Sequence, residues 1–348
     1  MAEIHVTIKK EVGRKGKCKM KKWITICLLF FFVFSLSGCR ADEEAVDNSK
    51  AISVGLVTES SGIEEDSISR RIWDALQNLQ HVYSALEISY QQPDKTSSYE
   101  VCIQQLALKD CSLILCADGT MKDVIEKIAK NYPELQFAIF NCDSTTQSNV
   151  TGLMFSREEA VYLAGIAAGK STQSERVGCI HGRLTTQTEK LLVSFMAGVK
   201  AANRNVEILR TNSLIHKDGG ALAAEEMITH GVDVIFHVDG DQNSAVLQQC
   251  QKNGIWAIGV NWDSENMKQT LASASDRVEV VVANVVQKAM DKTLQGEVLQ
   301  YGLQNDGVVL SAADGVLTDS AANTVHNAKN KLLAGEVTLP SSLEELTE

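Results

Sequence analysis

From Ala51 onward, short runs rich in β-branched residues alternate with longer stretches of helical period, and after a polar connection at Asp143 to Asn149 the alternation starts again. The first series predicts strands over Ile52 to Val57, Leu86 to Tyr90, Leu113 to Cys116 and Phe137 to Phe140. Helices are predicted between them over Ser67 to Gln80, Tyr99 to Leu108 and Met121 to Asn131. The second series predicts strands over Leu153 to Phe155, Val177 to Ile180, Val206 to Leu209, Val232 to His237 and Trp256 to Val260. Its helices run over Arg157 to Gly169, Thr188 to Ala202, Leu222 to Thr229 and Ser244 to Lys252. Strands that alternate with helices form parallel sheets covered on both faces. Two such series predict an α/β protein of two doubly wound parallel-sheet lobes.

The remaining segment, from Leu271, contains a helix around Val278 to Lys292 and a late strand over Gly307 to Ser311. The helix is expected to return to the first lobe and the strand to the second, so that three crossings form a hinge with a ligand cleft at the carboxyl ends of the strands. The expected division is 51–148 with 263–300 for the N-terminal lobe, 149–262 with 301–335 for the C-terminal lobe, and 336–348 as a tail. All three prolines, Pro93, Pro133 and Pro340, fall outside the interiors of these elements, as their missing N–H requires.

Ahead of the lobes, Lys21-Lys22 precedes the largely apolar run Trp23 to Leu36 and then Leu36-Ser37-Gly38-Cys39. A basic start, a short apolar core and small residues before a cysteine read as a secretory signal over 1–38 that ends in a lipobox. Cys39 is then the lipidated mature N-terminus, with a palmitate-type acyl chain as anchor, and polar residues 39–50 form a tether. The basic stretch before Met20 fits a signal poorly, so Met20 is the expected start. The apolar run is short for a membrane-spanning helix, which needs about 20 residues. Beyond residue 38 there are 25 Lys/Arg and 42 Asp/Glu, a formal charge of −17, which argues against nucleic acid or an anionic membrane surface as partner. Cys102, Cys111, Cys116, Cys142, Cys179 and Cys250 form no CxxC pair and lie in or beside apolar runs, so they read as buried free thiols.

Several blocks carry a resemblance. Val57-Thr58-Glu59-Ser60-Ser61-Gly62-Ile63-Glu64-Glu65-Asp66-Ser67, with Trp73 six positions on, resembles the opening motif of the basic membrane lipoprotein family, substrate-binding lipoproteins of nucleoside ABC importers. Tyr132 to Ile139, Asn149-Val150 with Glu158 to Gly165, Val177-Gly178 with Phe195 to Gly198, and Gly231 to Phe236 with Trp256 to Val260 agree in order and spacing. The resemblance implies a periplasmic-binding-protein-like type I fold and a lipid-anchored extracytoplasmic solute-binding protein. Its partners would be a small polar ligand, nucleoside-like, an ABC permease, and the membrane through the lipid on Cys39. In this reading Glu59, Ser69, Asn141, Asn261 and Asp276 supply polar contacts, and Ile68 and Trp262 line the apolar face. His237 and Asp239 belong to the same cleft edge. Ile68 stands where the family shows a stacking phenylalanine, Asn141 and Asn261 where it shows aspartates for sugar hydroxyls, and Asp276 where it shows lysine. The alternative is the Med-like branch, which keeps the fold but serves regulation after losing the transport ligand.

Other motifs weigh less. Ala164 to Ser171 fits a loosened phosphate-loop pattern, but that chemistry needs a loop between strand and helix. Here the pattern lies at the end of a predicted helix, with Gly169 as a C-cap. His181 follows the predicted strand ending at Ile180, His237 ends another, and both read first as structural histidines. Glu64, Glu65 and Asp66 read as an acidic helix start. No HExxH, GxSxG or paired metal-ligand spacing occurs, so neither an enzyme nor a cofactor or metal is expected. Trp262 follows the strand ending at Val260 and stands equally for a stacking ring or hinge packing.

Overall fold

The computed structural model describes residues 51–64, 67–94, 98–213, 219–238, 243–261 and 268–347. Among them, twelve strands form two six-stranded sheets. The first holds β1 (Ile52–Val57), β2 (Leu86–Gln91), β3 (Leu113–Cys116), β4 (Gln136–Phe140), β5 (Val150–Phe155) and β11 (Val298–Tyr301). Its order is β11-β5-β4-β3-β1-β2, parallel throughout. The second holds β6 (Arg176–His181), β7 (Glu207–Asn212), β8 (Val234–His237), β9 (Trp256–Val260), β10 (Thr270–Asp276) and β12 (Val308–Ser311) in the order β12-β10-β9-β8-β6-β7, with β12 antiparallel to β10. Central strands such as β3 and β8 are buried along their whole length, the pattern expected of parallel strands covered on both faces.

The helices are α1 (Ile68–Val82), α2 (Tyr99–Ala107), α3 (Lys122–Ala129), α4 (Arg157–Ser171), α5 (Thr186–Ala202), α6 (Gly219–Thr229), α7 (Asn243–Asn253), α8 (Val278–Met290), α9 (Asp319–Leu333) and α10 (Leu343–Thr347). Ser67 caps α1, its hydroxyl accepting from the Arg70 N–H at 3.0 Å, so Glu64 lies outside the first turn; Glu65 and Asp66 lie outside the described residues. Thr185 and Thr188 cap α5 reciprocally. Asn149 holds the β4–β5 connection by donating to the carbonyls of Ala129, Tyr132 and Leu135 at 3.2, 3.0 and 2.9 Å, which gives that residue of the family-like block a structural reason.

The crossings differ from expectation. β5 pairs with β4, so the chain leaves the first lobe at Ser156 rather than at residue 149. β10 pairs with β9 in the second sheet, so the chain described from Lys268 belongs to the second lobe until Arg277, from which α8 enters the first. The third crossing, Gly302–Gly307, joins β11 to β12. β10 and β11 are absent from the sequence reading. β10 is built from small residues, Thr-Leu-Ala-Ser-Ala-Ser-Asp, which let α4 approach it closely but carry a weak strand signal. The C-terminal segment is docked rather than a free tail: Val337 and Leu339 pack against the core, and the Leu343 N–H donates to Glu189 Oε1 at 3.1 Å.

Gly169 lies inside α4, which ends at the C-cap Thr172. It is a packing residue: a Cβ there would sit 2.8 Å from the Val199 carbonyl oxygen. The loosened phosphate-loop pattern therefore has its amides inside a helix, where they do not face a phosphate. All six cysteines beyond residue 50 are buried free thiols, as their apolar surroundings predict.

Candidate functional site

Strand register builds the site. Val57, Cys116 and Ile139 are aligned across β1, β3 and β4. Two residues further on, the same three strands deliver Glu59, Asp118 and Asn141 to one edge, over a span of about 10 Å at ordinary strand spacing. This is the carboxyl edge of the sheet at its switch point, where doubly wound folds hold ligands. The second sheet presents the corresponding edge with His181 at the end of β6 and His237 at the end of β8.

Asn141 and Asn261 occupy equivalent places in the two lobes. Each follows the fourth strand in the left-handed region, at φ 55° and 57°, a conformation that asparagine tolerates better than most residues. Each donates its N–H to the fifth strand, Asn141 to Leu153 at 2.8 Å and Asn261 to Ala274 at 2.9 Å.

Between them lie Arg157, at the first crossing, and Asp276, at the second. The Arg157 guanidinium grips the Asp276 carboxylate through Nε at 2.8 and 3.0 Å and through an Nη at 2.7 Å. The same Nη donates to Asn141 Oδ1 at 3.0 Å. Asn261 closes the chain by donating its amide to Asp276 Oδ2 at 3.2 Å and accepting the Asp276 N–H at 2.8 Å. The ion pair is well shielded, with side chains 14% and 1% exposed, and the guanidinium lies 5.2 Å from the Phe155 ring centroid, within cation–π range. Arg71, reaching from α1, donates to the Asp276 carbonyl. Burial lowers the Arg71 pKa, with Asp276 and Glu279 opposing that fall and Arg157 adding to it. At the third crossing, Glu159 accepts from the Leu303 N–H at 2.7 Å. A Cβ on Gly302 would lie 2.6 Å from Glu159 Oε2, so a larger residue there would push the Glu159 carboxylate aside. All three crossings thus meet the start of α4.

Glu59 is half-buried, and burial first and Asp118 second push its carboxyl above the usual value. Tyr99 is pushed up in turn by burial, Glu59 and Asp118, which places these three groups together. Ser69 is wholly buried, and its hydroxyl accepts the Glu59 N–H at 3.2 Å, so it holds the loop that carries Glu59. Ile68 packs against the hydrophobic core. His237 is fully buried at the end of β8. Asp239, Trp262 and Cys39 lie outside the described residues.

Of the predicted residues, the structure thus joins Asn141, Asn261 and Asp276 in one network and sets Glu59 and Ser69 together beside them. Arg157, Arg71 and Asp118 are missing from the sequence reading. A lone arginine two residues after the aromatic end of a strand, at a lobe crossing, is the signal that marks Arg157.

A family model described as Bmp, ABC transporter substrate-binding protein PnrA-like, matches residues 52–342. The "CD4+ T-cell-stimulating antigen" of Listeria monocytogenes is 27% identical over 84% of this chain and 89% of its own. The "ABC transporter nucleoside-binding protein BmpA" of Lactococcus lactis subsp. cremoris is 25% identical over 88% and 95%. The "Transcriptional activator protein med" of Bacillus subtilis is 25% identical over 82% and 88%. Among solved structures, an ABC transporter solute-binding protein from Conexibacter woesei superposes with a TM-score of 0.72 at 20% identity, covering 84% of this chain and 99% of the other.

Proposed function

Since the chain belongs to the Bmp family of PnrA-like ABC transporter substrate-binding proteins, we propose that it is a lipid-anchored extracytoplasmic receptor. It closes its two lobes around a small polar ligand, nucleoside-like, and presents it to an ABC permease. The observation that carries the reading is the convergence of Asn141, Arg157, Asp276 and Asn261, contributed by both lobes and two crossings, in one hydrogen-bonded chain. A ligand touching this chain contacts both lobes, so it binds the closed form better than the open one and shifts the population toward closure. Glu59, His237 and Asp239 add polar groups along the two strand edges, Ser69 supports Glu59, and Ile68 and Trp262 supply apolar surface. The lipobox supports anchoring through Cys39, and among the described residues no helix is long and apolar enough to cross a membrane. The relative named as nucleoside-binding supports the ligand class.

Thermal unfolding of residues 41–348 with a nucleoside panel tests this. A true ligand at 100 times its dissociation constant adds about 2.7 kcal/mol of stability. The absence of any stabilisation of the folded protein across the panel would sink the nucleoside assignment. A second reading, a Med-like regulatory lipoprotein, draws on the relative named as a transcriptional activator and on a cleft whose carboxylate is already engaged by Arg157 and Asn261. That silence would favour it.

A further inference from the structure

We infer that Arg157 is a positioning residue that turns Asn141 into a fixed hydrogen-bond donor, so that the ligand atom meeting Asn141 is an acceptor such as a carbonyl oxygen, ring nitrogen or ether oxygen. This rests on the proposed cleft-binding role. The orientation of the amide follows from chemistry: a guanidinium has five donors and no acceptor. The Asn141 atom 3.0 Å from the Arg157 Nη is therefore the carbonyl oxygen, and the NH2 group faces away from the cation. The rest of Asn141 is held too. Its N–H is bonded to Leu153, and its carbonyl oxygen sits where a Cβ on Gly119 would come within 2.3 Å. The side chain starts from one backbone position and ends on one partner.

Each neighbouring acceptor already holds at least one donor. Asp276 Oδ1 accepts from Arg157, and Oδ2 accepts from both Arg157 and Asn261. Asn261 Oδ1 receives the Asp276 N–H. A ligand group able only to donate would have to share an oxygen that Arg157 or the Asp276 N–H already holds, whereas an acceptor finds the Asn141 NH2 already aimed. An aspartate at position 141 would offer the reverse polarity in the same volume.

The test is calorimetric affinity for matched pairs that exchange a carbonyl for an amine (uridine with cytidine, inosine with adenosine) and for nucleosides whose sugar hydroxyls are replaced by methyl ethers. It is run on wild type, Asn141→Asp, Arg157→Lys and Arg157→Gln. Wild type is expected to favour the acceptor-bearing member of at least one pair. Asn141→Asp should move that preference by about tenfold toward the donor-bearing member, the worth of one hydrogen bond that is made or left unmade. Arg157→Gln, whose side-chain amide offers both donor and acceptor, should let the Asn141 amide flip and bring the ratio toward one, while Arg157→Lys, still a donor only, keeps it. If Arg157→Gln does not fold, the Asn141→Asp ratio decides. Binding with pair ratios unchanged by Asn141→Asp overturns this inference alone. No binding of any member to folded wild type overturns it together with the nucleoside reading.

Discussion

The helices that enter the two lobes from the hinge, α4 and α8, hold equivalent places after the fifth strand of each sheet, yet they are built oppositely. α4 is lined with small residues and buried from Ala160 to Gly169. Its backbone lies so close to α5 that a Cβ on Gly165 would be 2.1 Å from the Phe195 carbonyl oxygen, and one on Gly198 2.1 Å from that of Tyr162. α8 packs on α1 and carries Val281, Val282, Val285 and Val286, all fully buried. Helix α4 is clamped between a sheet, α5 and α9, so closeness is its means of burial. Helix α8 covers a sheet with ordinary side-chain packing. The strand ends before them differ as well: β5 stops on Phe155 and β10 on Asp276. Equal topology thus places the cleft, while unequal residues decide its chemistry, with a ring on one side of Arg157 and a carboxylate on the other.

The comparison is open to attack at each of these points. The largest effect is expected from Asp276→Ala, which strands the shielded Arg157 charge and should cost about 3–5 kcal/mol in denaturant unfolding. A cost below about 1 kcal/mol would mean that the pair is solvated like a surface ion pair. Gly165→Ala comes next, at about 3 kcal/mol, because the added methyl meets backbone rather than a movable side chain. Val285→Ala in α8 should cost about 2 kcal/mol by leaving a cavity. If α4 tolerated enlargement as easily as α8 tolerates truncation, the opposition between the two helices would collapse.

The smallest effect concerns Glu59. Burial and Asp118 raise its pKa above the ordinary 4.5, so the folded state holds the proton more tightly than the unfolded one. The stability this proton confers is complete below 4.5 and is lost as pH rises through the raised value. Glu59→Gln removes that loss. Its unfolding free energy in denaturant should gain on wild type as pH goes from 4 to 7, by less than about 1 kcal/mol since the carboxyl is half-exposed. A difference that is constant with pH would show that Glu59 titrates as it does in the unfolded chain.

The two-lobe architecture was legible because parallel strands buried on both faces are written in short continuous apolar runs, as in β1, β3 and β8. Strand β10 was not, because the closeness of α4 replaces β-branched residues with alanine and serine. The positions of Asn141, Asn261 and Asp276 could be read from the resemblance, but their union could not. It depends on Arg157, 119 residues from Asp276 along the chain, and on a register that brings strand ends of both lobes together. Ile68 was placed on the apolar face by the resemblance alone; it is partly buried and packs against the edge of the core at the start of α1.

The most direct test of a ligand held by both lobes through this network is calorimetric titration of wild type and Asn261→Ala with whichever nucleoside stabilises the protein most. Asn261 is exposed, so the variant should fold. The account predicts saturable one-to-one binding to wild type, weakened about tenfold or more by the substitution. Equal affinity in the two proteins would place the ligand away from the Asn141–Arg157–Asp276–Asn261 chain and contradict the account.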